Sequence, residues 1–218
     1  MSMGIDELGQ LGPNLDIFDT NFLNAELLAR VRASKRELWI CNAGSMAVGD
    51  PRLDRYGYGF FAWRAGVKGM AQWVYRGGNV YEQAYGLGTA YVFPAVDGKP
   101  LPTIHWEAMR QAFIDQRYGA TLTKLMDIAD KSGDAKAKEA TAQAAGVIKD
   151  VLSRFSLDYM NRRFPASVWR PFHLYSVDGD CFETCRWRIA QEIVELQAVL
   201  RDRAVLDPQE KVFPLTPE

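Results

Sequence analysis

NLDIFDTNFLNAELLARVRASKRELWICNAG, residues 14–44, decides the fold class. NLDIFD (14–19) is a short strand-like run behind the breaker Gly12-Pro13, and Thr20-Asn21 after it can begin a helix. Leu23, Leu27, Leu28 and Val31 then recur at helical spacing, and Ser34-Lys35 lead into a second strand, ELWICNAG (37–44). Strand, helix, strand is the pattern of a βαβ unit, so the chain belongs to the α/β class, a parallel sheet with helices outside it.

Downstream of this unit the alternation continues. A Gly/Pro/Asp loop (44–54) gives way to YGYGFFAWRAGV, where Phe60, Phe61, Trp63 and Val67 are spaced for one helix face, and GMAQWVY (69–75) is strand-like again. After a Gly- and Tyr-rich loop (76–88), the apolar run TAYVFPA (89–95) is a last strand or extended segment, ended by the turn in DGKPLP. Thr103 is an N-cap for a long helix over about 104–129, with Trp106, Met109, Phe113, Leu122, Leu125 and Met126 on one stripe. A polar break, DKSGD, precedes an Ala-rich helix (about 135–161), and a last helix runs over about 180–203 with Phe182, Cys185, Ile189, Ile193, Leu196 and Leu200 facing a core. This gives about three or four strands, whereas a closed barrel needs eight. The expected organisation is therefore residues 1–130 as part of a (β/α) TIM-type barrel and 131–218 as a helical extension packed on it.

Composition narrows the function classes. With 218 residues, 48% hydrophobic, the chain can bury a substantial core, and 26 Lys and Arg against 27 Asp and Glu leave no broad charged surface. No nucleic-acid partner is expected on that balance, and a small polar or uncharged ligand suits it better. Cys41, Cys181 and Cys185 are too few for a disulfide framework and are read as structural thiols; two histidines exclude a His-rich metal cluster. No cofactor is implied. No window is long and apolar enough for a membrane span, and MSMGIDELGQLG lacks the regions of a signal peptide, so a soluble chain of undetermined compartment is expected.

In α/β architectures ligands bind beyond the carboxyl ends of the strands. That singles out Asp19, Asn21, Asn42, Trp73, Tyr75 and Arg76. Aromatic faces pack on the C–H face of a pyranose, while Asp, Asn and Arg fork hydrogen bonds to vicinal hydroxyls, so the set suits carbohydrate. For Trp39, Trp63 and Trp73 the competing role is core packing. Glycoside hydrolysis normally takes two carboxyl groups, and the strand exits offer one, Asp19. Glu107 with Arg110 has the spacing of an intrahelical ion pair, and Asp115 with Arg117 is given the same structural role. Asp6-Glu7 precedes the first strand, and Glu7 or Glu82 would have to join Asp19 if the chain alone were a complete hydrolase. RGGNVYEQAYGLGTA has neither phosphate-loop spacing and is read as a rim loop carrying Tyr81, Glu82 and Tyr85; His105 and His173 lack a nucleophile motif.

Two stretches carry a resemblance. YGYGFFAWRAGVKGMAQWVY (56–75) and PAVDGKPLPTIHWEAMRQAFIDQRY (94–118) resemble the C-terminal part of glycoside hydrolase family 123-like proteins. Trp73 and Tyr75 match a W-x-Y strand, and Pro94, Asp97, Gly98, Pro100, Pro102, Thr103, Trp106, Glu107, Arg110, Ile114, Asp115 and Tyr118 match the stretch that follows; His105 stands where the pattern has arginine. The resemblance implies a (β/α) barrel and retaining hydrolysis of N-acetylhexosaminides by an Asp-Glu pair after an earlier strand. On that alignment 14–19 is about the fifth or sixth strand and the pair lies upstream of Met1, so the catalytic residues remain unknown. The expected partner is a carbohydrate, and a partial barrel would be completed by an upstream half or by a second copy of the chain, since open sheet edges and an apolar interior are unfavourable in a monomer. The alternative is a non-catalytic carbohydrate-binding or interaction module.

Overall fold

In the first strand, β1 (Ile17–Thr20), Phe18 and Thr20 are buried while Ile17 and Asp19 are exposed, the alternation that a pleated strand with one covered face requires. The computed structural model to which this strand belongs describes residues 15–20, 23, 25–41, 51–71, 91–94, 97–157 and 179–205. Helix α1 (Ala25–Ser34) follows, burying Leu27, Leu28 and Val31, and β2 (Glu37–Cys41) buries Leu38 and Ile40. The βαβ unit is thus present as the sequence predicts: β1 and β2 pair in parallel from Ile17–Glu37 to Thr20–Ile40.

Residues 51–65 are more helical than expected. The loop assigned to 44–54 gives way at Pro51, where α2 (Pro51–Tyr56) begins; proline suits the first helical position because its missing N–H would have no intrahelical partner there. A π-helical turn, Gly57–Phe61, continues into α3 (Ala62–Ala65), with a kink at Gly59, whose ψ of −114° is non-helical. Tyr58, Phe60 and Phe61 are buried, Trp63 is half-buried, and Val67 lies beyond the helix end at Gly66. Phe155 anchors this aromatic set: its ring stacks on Phe60 at 4.6 Å and tilts against Tyr56 at 5.4 Å. Its carbonyl accepts from Arg64, and the Tyr56 hydroxyl donates to Ser156 O at 3.1 Å. Strand β3 (Gly69–Ala71) then pairs in parallel with β2, giving a three-stranded sheet in the order β1-β2-β3.

TAYVFPA does not extend that sheet. Its described part forms β4 (Val92–Pro94), which pairs antiparallel with β5 (Pro100–Pro102) in a separate hairpin. The predicted turn lies between them: the Asp97 carboxylate accepts from Lys99 N at 3.1 Å, and Gly98 takes the left-handed φ of +79°. Proline donates no ladder hydrogen bond, which a two-stranded ribbon tolerates and a central strand does not. Thr103 closes the hairpin onto α4 (Ile104–Ser132). Its Oγ1 accepts from Trp106 N at 3.2 Å as the predicted N-cap, while its own N–H donates to Tyr91 O at 3.0 Å.

The chain divides into two compact units, Met1–Phe113 with Phe155–Val177, and Ile114–Arg154 with Asp178–Glu218, whereas the sequence suggested a boundary near 130. In the second, the later part of α4 buries Leu122, Leu125 and Ala129; Phe113, expected on that stripe, is exposed. Gly133, at φ +74°, turns the chain into α5 (Ala135–Ser153), shorter than the predicted 135–161. Helix α6 (Gly179–Asp202) buries Phe182, Cys185, Ile189, Leu196 and Leu200, as its spacing predicts, while Ile193, expected with them, is half-buried and its neighbour Glu192 is buried. Contacts of Asp134 with Arg203, Gln143 with Glu195 and Asp150 with Arg188 run in opposite chain directions, so α5 and α6 are antiparallel. Among the described residues the protein is a mixed helix and strand structure, mostly helical, with a small parallel sheet.

Candidate functional site

The covered face of the sheet carries Phe18, Thr20, Leu38 and Ile40; the other face carries Ile17, Asp19, Glu37 and Trp39, all exposed or half-buried. Register sets Asp19 beside Trp39 and Trp39 beside Gly69. A Cβ added to Gly69 would fall 2.2 Å from the Trp39 ring, so the indole lies on the glycine backbone and only glycine admits it there. The indole N–H donates to Glu37 Oε2 at 3.2 Å. One half-buried aromatic ring is therefore flanked by carboxylates from two strands. Partial burial pushes the Asp19 carboxyl above its ordinary 3.8, with a backbone hydrogen bond at Thr20 pulling the other way.

Of the residues singled out in the sequence, Asp19 takes its place on this face, and Asn21, Asn42, Trp73, Tyr75 and Arg76 lie outside the described residues, as do Glu7, Glu82 and His173. Glu37 was missed. Its signal was the two-residue spacing to Trp39, which puts both on one face of a strand. Trp39, read as either sugar-facing or core, is half-buried on the open face.

A second cluster was also missed. Asp54, fully buried on α2, accepts from the Tyr91 hydroxyl at 2.8 Å, and its other carboxylate oxygen lies 2.5 Å from His105 Nδ1. The His105 ring closes the network from a side chain that is 22% exposed. Burial first, and then the neighbouring Asp54, push the Tyr91 hydroxyl well above its ordinary 10.0. The three residues join α2, the residue preceding β4 and the first turn of α4. Hairpin turn, helix cap and buried carboxylate network together form a clasp.

Glu107 and Arg110 pair at 2.7 Å on the surface, as their spacing predicts. Asp115 does not share that role: it is buried and pairs with Arg186 of α6 at 2.5 Å. Cys181 and Cys185 are free thiols with sulfurs 3.7 Å apart, and burial pushes the Cys185 thiol up to about 12, which makes it a poor nucleophile. Among the described residues no group of three His, Cys, Asp or Glu side chains is placed to hold a metal ion, and no helix is long and apolar enough to cross a membrane. Neither family models, nor curated proteins, nor solved structures gave a match to this chain.

Proposed function

We propose that this chain is the carbohydrate-binding part of a glycoside hydrolase-like (β/α) barrel acting on N-acetylhexosaminide-type sugars. The observation that carries the proposal is the open sheet face on which the Trp39 ring rests on Gly69 between Asp19 and Glu37. Such a ring offers a stacking platform for the apolar side of a pyranose, and carboxylates beside it accept hydrogen bonds from its hydroxyls. The strand order β1-β2-β3, all parallel with helices between, is the order that a (β/α) barrel uses around its circumference. The resemblance of 56–75 and 94–118 to family 123-like hydrolases points the same way.

A second reading, a non-catalytic module completed by self-association, draws on the same face. Parallel sheets are ordinarily covered on both sides, so an open one calls for a cover. One set of measurements separates the two. The chain is titrated with N-acetylgalactosamine by nuclear magnetic resonance, assayed on a chromogenic N-acetylgalactosaminide, and sedimented. The hydrolase-part proposal expects weak saturable binding, no turnover by the chain alone, and loss of binding in Asp19→Asn and Gly69→Ala. Absence of binding in the folded wild-type chain overturns it, and a stable dimer of the 24.6 kDa chain favours the second reading.

A further inference from the structure

At the amino ends of β2 and β3, between α1 and the end of α3, lies a cleft of about 260 Å³ lined by Arg32, Lys35, Arg36 and Lys68, with Glu37 at its edge and Leu28, Val31 and Leu38 as its floor. We propose that this cleft is a binding site for the phosphate group of a small ligand. It adjoins the Trp39 face through Glu37, but its cations lie outside that face, and the phosphate proposal does not rest on the carbohydrate one.

Charge is the first support. Among the described residues none of the four cations pairs with a carboxylate, and the one carboxylate at the cleft, Glu37, already accepts from the Trp39 indole. Two helices end here, and their carbonyl termini each bring roughly half a negative charge. Arg32 answers one of them, donating to Arg64 O and Ala65 O at 3.4 Å. Four positive charges against one carboxylate and two helix termini still leave the cleft about two charges positive, the complement of a phosphate.

The second support is an unanswered donor. Arg36 Nε is buried and has no hydrogen-bond partner, and buried donors of this kind are rare because nothing replaces the water they give up. A turn of the Arg36 side chain, which lines the cleft, would bring Nε to a phosphate oxygen as a charge-assisted hydrogen bond. The third is the backbone of Lys35. It caps α1 with φ +58°, in the left-handed region where helices normally place glycine or asparagine. A lysine here accepts backbone strain that glycine would avoid, and what it adds is a cation at the cleft. The volume suits a phosphorylated small molecule and is below the usual range for drug-sized ligands.

Calorimetry of the full chain with inorganic phosphate and with N-acetylglucosamine 6-phosphate, at constant ionic strength against chloride, tests the site. Saturable binding is expected, weakened about tenfold or more in Arg36→Gln, in line with loss of a charged hydrogen bond. Lys35→Gly is the second variant: it relieves the left-handed backbone, so it should unfold no earlier than wild type while binding phosphate more weakly. Tighter binding of the sugar phosphate assigns an ester ligand, and equal binding assigns the free ion. The proposal is overturned if phosphate binds no better than chloride, or if both variants bind it as wild type does.

Discussion

The two compact units use charge in opposite ways. In the sheet unit the core is aromatic around Phe60, Phe61 and Phe155, and the buried carboxylate of Asp54 is satisfied by Tyr91 and His105 from elements distant in sequence. In the helical unit the core is mainly aliphatic, Leu122, Leu125, Ala129, Ala144 and Leu196 among it with Phe182 as its buried ring among the described residues, and charge pairs are spread along the helices: Asp134 with Arg203, Asp150 with Arg154 and Arg188, and Asp115 with Arg186. Aromatic rings have shapes that fit one arrangement, so the sheet unit needs few polar contacts to select it. Helices with small apolar stripes slide past one another at little cost, and charge pairs at both ends fix their register. The contrast predicts that the sheet unit depends on one carboxylate and the helical unit on several, each replaceable.

The largest effect is expected at Asp54. Asp54→Ala should destabilise the chain by about 3–5 kcal/mol, because a fully buried, doubly bonded carboxylate is removed and its partners are left behind. Denaturant unfolding measures it, and a loss below 1 kcal/mol would reduce the clasp to an accident of packing. His105→Arg sharpens the same point. If position 105 serves as donor to Asp54, arginine should hold stability close to wild type where His105→Ala does not.

Next comes Asp115→Ala, for which a loss of about 2 kcal/mol is expected. The effect is smaller because Arg186 keeps some exposure and lies 3.7 Å from Glu183, which partly answers it. A loss as large as that of Asp54→Ala would break the comparison. The smallest effect is in pH. The Asp134 carboxyl is held below its ordinary 3.8, first by the backbone N–H of Ala137 and then by Arg203, and Arg188 lowers that of Asp150. Groups lowered in the folded state contribute fully above their unfolded value and lose that contribution as pH falls through the lowered one. The helical signal by circular dichroism, at fixed denaturant, should therefore decline as pH falls below about 3.8, and Asp134→Asn should flatten the decline. An unchanged slope in that variant would remove Asp134 from the account.

What the sequence made legible was what local spacing encodes. The long helix over 104–132, its cap at Thr103, the α6 core positions and the β1-α1-β2 unit all follow from period and capping chemistry. Pro51 was misread because proline both breaks and begins helices; Val92–Pro94 is a strand as expected, but its partner Pro100–Pro102 was not foreseen, because a proline-rich three-residue segment carries no strand signal. The contact of Asp54 with His105 spans 51 positions, and that of Asp115 with Arg186 spans 71. Neither is visible to reasoning that looks along one element. Asp19 was legible from its strand-exit position; its neighbour Glu37 entered with the register of the sheet.

Asp134 has one carboxylate and two appointments, kept at different times. Its Oδ1 accepts from Ala137 N, three residues away, and its Oδ2 from Arg203, 69 residues away. Closing a one-turn loop is far faster than bringing distant segments together, so the cap is available as soon as α5 nucleates and the arginine arrives only when α6 docks. The same atom group then acts early in folding through one oxygen and late through the other. Arg203→Ala should speed unfolding and leave the folding rate unchanged, whereas Asp134→Ala should alter both, which stopped-flow kinetics would separate.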